Sequence, residues 1–206
     1  MPQAPLEEAD VTMADGTEPG VEPQVFERVE ELRDWLERHH GVRSDLWVKV
    51  AKKSTGIESV TASEIIDAVL CYGWIDGQRK SLDETYYLQR ISRRRKGGHW
   101  SQVNVRKVEA LTAAGLMREP GLAEVRAARE DGRWAAAYPS QKEATVPEDL
   151  AAALVPGSLA ARRFEELGRT DRYLVILELL KARTPGLRAA RLARAITKLE
   201  SGGTAD

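Results

Sequence analysis

One cysteine, three histidines and two phenylalanines are spread over 206 residues, and neither sign of charge prevails. Each scarcity removes a class of protein. The single thiol, Cys71, excludes an internal disulfide and a zinc site built on several thiolates, and it suits a reducing compartment. With His39, His40 and His99 as the whole imidazole complement, no metal centre is expected, and no cofactor is called for. Lys and Arg total 31 against 32 Asp and Glu, so a net charge of −1 supplies no global attraction to nucleic acid or anionic membrane. The most apolar stretch, Tyr173 to Leu180, is interrupted by Glu178 and too short to cross a bilayer, so no membrane insertion is expected. The first residues show no basic start followed by an apolar run, and the expected location is the cytoplasm.

An apolar content of 42% is enough for one ordinary core. Residues 1–23 stand apart: they hold four prolines, six carboxylates and no Lys or Arg, too little apolar surface to offset the entropy of ordering, and they read as a disordered acidic tail. Residues 24–202 read as a single domain. Val29, Leu32, Trp35, Leu36 and His39 recur at helical spacing before Gly41, and Asp45 to Lys53 reads as a strand. Thr61 with Glu64 makes a capping box for a helix that ends beside Cys71. Trp74 to Lys80 and Thr85 to Ile91 read as two antiparallel strands, and helices follow from Trp100 to about residue 200. The fold class is α+β: a small antiparallel sheet of about three strands with a predominantly helical C-terminal half.

Chemistry concentrates between Cys71 and Asn104. Cys71 to Arg79 places a thiol, two aromatics, a carboxylate, an amide and a guanidinium at a helix-to-strand junction, where loops held by rigid elements often carry function. On a strand starting at Trp74, alternation puts Trp74, Asp76 and Gln78 on one face. Arg90 to Asn104 adds Arg94, the Gly97-Gly98 pair, His99, Trp100, Ser101 and Asn104, with Ser101 well placed to cap the next helix. Indole rings and guanidinium groups together suit a flat, anionic small molecule.

The segments Ala68-Val-Leu-Cys-Tyr-Gly-Trp-Ile-Asp-Gly-Gln-Arg-Lys80, Tyr87-Leu-Gln-Arg90 and Trp100-Ser-Gln-Val-Asn104 resemble the bacterial YdeI/OmpD-associated, bacteriocin-protection-like family. The likeness runs over about residues 28–200, with departures at Arg93 and Gly98. It implies a bacterial protein of stress or protection type and a single domain of that kind, and it carries over no catalytic residue.

Three functions stay open on the residues. The first is binding of a small polar or anionic molecule by Trp74, Gln78, Arg79, Arg90, Arg94, Trp100, Ser101 and Asn104. The second is an enzyme of specialised metabolism in the same pocket, with Asp76 as acid or base and Cys71 as nucleophile, against the plainer readings of an ion-paired Asp76 and a packed Cys71. The third, a regulator touching nucleic acid through Arg93 to Lys96 and the basic terminal helix with Arg183, Arg188, Arg191, Arg194 and Lys198, is disfavoured by the neutral whole. The sequence leaves the oligomeric state unknown. All three readings require the helix end and the two strands to form one concave lining.

Overall fold

The computed structural model describes residues 22–202, so the acidic segment, Glu22 and Pro23 excepted, lies outside the described residues. These residues divide into two compact units. The first runs to Lys96 and takes in Val108–Ala127; the second is Gly97–Lys107 with the residues from Ala128 onward.

The first unit holds strand β1 (Gln24–Val25), helix α1 (Val29–His39), β2 (Asp45–Ala51), α2 (Ala62–Cys71), β3 (Trp74–Ser81) and β4 (Tyr86–Arg93). Acidic Glu30 and Glu31 begin α1 and basic Arg38 and His39 end it, as the helix dipole favours. The expected capping box is present at α2: the Glu64 N–H donates to Thr61 Oγ1 at 3.3 Å and the Thr61 N–H to Glu64 Oε2 at 2.8 Å.

The sheet has four strands in the order β1-β2-β4-β3, one more than the sequence indicates. The extra strand, β1, is two residues paired parallel to β2, too short to show any alternation and adjoining Pro23. Cross-strand partners share a face. The pairs Leu46 with Ile91 and Val48 with Gln89 put one buried row, apolar except for Gln89, on one face, and Trp47 with Arg90 lies on the opposite face. On β3, Asp76 pairs with Ile91 and Arg79 with Gln89, so Gly77 and Gln78 together oppose Arg90 in a bulge. Buried Gln89 braces that bulge by donating to the Gly77 carbonyl at 3.1 Å and accepting from Arg79 Nε at 3.1 Å. The bulge and the exposed charges of β3 blunt the outer edge of the sheet.

Helices α3 (Gln102–Ala113) and α4 (Glu119–Glu130) have residues in both units. The start of α4 meets the end of α2. The Arg118 N–H donates to the Cys71 carbonyl at 3.1 Å, and a Cβ on Gly121 would sit 2.3 Å from that same oxygen, so only glycine permits the approach.

In the second unit, α5 (Glu148–Ala153), α6 (Leu159–Glu166), α7 (Arg169–Leu180) and α8 (Pro185–Ser201) enclose Leu150, Ala160, Phe164, Ile176, Leu179 and Leu199. Thr184 caps α8 by accepting from the Leu187 N–H, with Pro185 in the first turn. Arg163 donates to the Leu199 and Glu200 carbonyls at 2.8 and 2.7 Å and satisfies the other end of that helix. Arg188 binds Asp149 through Nε at 2.7 Å and Nη2 at 2.9 Å, tying α8 to α5.

Candidate functional site

The residues singled out in the first unit do not form one lining. Trp74 is 0% exposed, edge-on to Trp35, and its Nε1–H donates to the His40 carbonyl at 3.3 Å; it is core and closes the end of α1. Asp76 shares a face with Ile91, and Arg90, one residue before Ile91, points to the other face. There Arg90 donates to Asp45 through Nε at 2.7 Å and also through Nη2. The hairpin therefore separates Asp76 from Arg90 instead of joining them, because register fixes which residues share a face and the sequence alone does not state register. Gln78 lies in the bulge and Arg79 lies over the Tyr87 ring at 4.6 Å. Arg94 is buried, with its backbone N–H on the Gly73 carbonyl at 3.1 Å.

Cys71 is 2% exposed and its thiol donates to the Asp67 carbonyl at 3.2 Å. Burial pushes this thiol above the ordinary cysteine range, so the thiolate needed for attack is disfavoured at neutral pH. This burial favours the packing reading of Cys71 over the nucleophile reading.

The remaining sequence candidates lie in the second unit. Trp100 is buried and packs at 4.9 Å on Trp134. Ser101 accepts from the Asn104 N–H at 3.2 Å, so this pair forms the start of α3, as the sequence suggested for Ser101. Next to them lies an arrangement that residue spacing could not show. Arg183 donates to the Gly97 carbonyl at 3.4 Å and Arg133 to the Gly98 carbonyl at 3.0 Å, which fixes two guanidinium groups beside His99. Arg133 is also bound to Asp131, through Nε at 2.6 and 2.8 Å.

His99 is exposed, and partial desolvation of its imidazole by its neighbours, followed by the charges of Lys181, Arg183, Arg191 and Arg133, lowers its pKa below the ordinary value. Arg183 and Arg191 were visible in the sequence as part of a basic terminal helix. Arg133 and Lys181 were not singled out, since each is one charge among many until the chain folds.

A polar hollow of about 370 Å³ lies in the first unit beside Glu30, Arg33, Asp34, Glu37, Tyr72 and Arg118. The Tyr72 hydroxyl donates to Glu37 at 2.9 Å, and burial raises its pKa. Glu37 and Arg118 are more than half exposed, so this hollow is a solvated surface of mixed sign. Among the described residues no group of three or more His, Cys, Asp or Glu is placed to hold a metal, and no helix is long and apolar enough to cross a membrane.

Two family models match the chain. Residues 143–202 match the family described as bacteriocin-protection, YdeI or OmpD-associated, and residues 24–124 match a domain of unknown function, DUF8412. No curated protein and no solved structure gave a match. The match over residues 143–202 agrees with the family resemblance read from the sequence. The match falls on the C-terminal helices; the Cys71 to Arg79 segment lies within the DUF8412 match.

Proposed function

We propose that the protein binds a small anionic molecule through the cationic cluster around His99, as a binding protein of the bacteriocin-protection type. The observation that carries this reading is the anchoring of Arg183 and Arg133 on the consecutive carbonyls of Gly97 and Gly98, directly before His99. Arg133 is buried with its guanidinium held by Asp131 and the Gly98 carbonyl, so direct capture of a phosphate or carboxylate falls to the exposed Arg183, whose planar fork suits bidentate hydrogen bonding. Lys181 and Arg191 add positive charge that acts on the same imidazole, and the one nearby carboxylate bound to Arg133 is Asp131. Binding of this kind needs no activated nucleophile, consistent with the buried thiol.

Calorimetric titration of the full chain with inorganic pyrophosphate tests the reading. Saturable binding is expected, weakened by about tenfold in Arg183→Gln, the loss of one charge-assisted hydrogen bond, and weakened further as ionic strength rises. Absence of saturable binding at low salt, or equal binding by Arg183→Gln, would overturn it.

A further inference from the structure

Helix α7 carries more apolar surface than its own core uses. Ile176 and Leu179 are buried in the core of the second unit, and Val175 and Leu180 pack against it. Leu174 and Leu177 fall on a different side, and Leu174 is 42% exposed. A helix that is apolar on two sides calls for cover on both. Across from them α8 presents Arg191, Arg194, Ala195 and Lys198, at i, i+3, i+4 and i+7, so four consecutive contacts lie on one face. Between the two helices runs a groove of about 380 Å³ with an apolar floor and a rim formed by Lys181, Arg191, Arg194 and Lys198. The single carboxylate on its lining, Glu178, lies 3.8 Å from Arg191, so three further cations border the groove.

We propose that this groove binds a single-chain anionic amphiphile of the fatty-acid type, with the acyl chain along Leu174, Leu177 and Ala195 and the carboxylate at the cationic rim. Charge complementarity selects the head group, since the rim carries four cations against one carboxylate. Size selects the chain over a protein partner. The groove sits at the lower end of the ~300–1,000 Å³ range of small-molecule sites and is smaller than the roughly 500 Å³ that one helical turn with its side chains fills. The inference is separate from the anion site at His99, although Lys181 and Arg191 border both.

The test is titration of the full chain with octanoate, decanoate and dodecanoate below their aggregation thresholds. Dodecyl maltoside, dodecyltrimethylammonium and phosphatidylglycerol vesicles are run alongside. The expected result is one saturable dodecanoate site, with affinity rising about tenfold for each two methylenes and no comparable binding of the uncharged or cationic amphiphile. Ala195→Phe fills the floor and is expected to weaken dodecanoate by tenfold or more. The rim variant Arg194→Glu with Lys198→Glu, at two exposed positions, keeps the fold and is expected to weaken it by about tenfold. It decides the matter if Ala195→Phe does not fold. His99→Ala is expected to leave dodecanoate affinity within about twofold, which separates this site from the pyrophosphate site. Chain-length-independent binding, equal binding of dodecyl maltoside, binding to vesicles alone, or an unaffected rim variant would overturn the proposal.

Discussion

Replacing Asp45 by alanine leaves the Arg90 guanidinium on the sheet without its carboxylate. The Asp45 side chain is 6% exposed and that of Arg90 23%, and the pair is joined by two donors on one oxygen. Breaking a buried pair from one side costs about 3–5 kcal/mol, because the remaining charge stays uncompensated. Arg90 retains some access to water and a further interaction besides Asp45, which places Asp45→Ala at or below the lower end, about 2–3 kcal/mol. Arg90→Met keeps the packed stem and orphans the carboxylate instead, for about 2–3 kcal/mol. Removing both charges as Asp45→Leu with Arg90→Met is expected to bring stability back to within about 1 kcal/mol of the native chain. Urea denaturation followed by tryptophan emission measures all three. Single variants each losing less than about 1 kcal/mol, or a double variant as unstable as the sum of the two, would refute the assignment of Arg90 to a structural pair.

Two further outcomes follow from the same geometry. Cys71 in the folded chain is expected to react with an aromatic disulfide far more slowly than in urea, and to gain no rate between pH 7 and 8.5 beyond that of the unfolded control, since burial disfavours its thiolate; fast labelling of the native chain would restore the nucleophile reading. The Arg188 guanidinium holds the Asp149 carboxyl below the usual carboxylate range, against the opposing effect of burial. Stability from this pair is therefore present above the unfolded carboxyl pKa of about 3.9 and is lost as pH falls through the lowered folded value. Both side chains are about a third exposed, so solvent screening limits the effect to under about 1 kcal/mol. Stability measured from pH 5 down to pH 2 is expected to fall less steeply in Arg188→Met, and an unchanged slope would contradict the linkage.

Elements with local signals were legible in the sequence. The Thr61–Glu64 box, the Ser101 cap and the helical spacing of Leu32, Trp35 and Leu36 each act within one turn, where residue order and spatial neighbourhood coincide. The pairing of Arg90 with Asp45 spans 45 positions and depends on register, and the bulge at Gly77 and Gln78 shifts the alternation that had placed Gln78 beside Asp76. Unbroken strand alternation puts the indole of Trp74 on the face of Asp76 and Gln78, which suggests a lining, yet its one polar atom finds a helix-end carbonyl inside the unit. The His99 surroundings were half legible: the basic terminal helix stood out, but nothing in residue order links it to Arg133 or to the two glycine carbonyls.

The central claim, that His99 marks an anion site, is tested most directly by following its imidazole resonances through a pH titration with and without inorganic pyrophosphate. The account predicts a pKa below the ordinary value of about 6.5 in the free protein that rises as pyrophosphate offsets the surrounding cations. A His99 pKa left unmoved by pyrophosphate at up to millimolar concentration and low salt would contradict it.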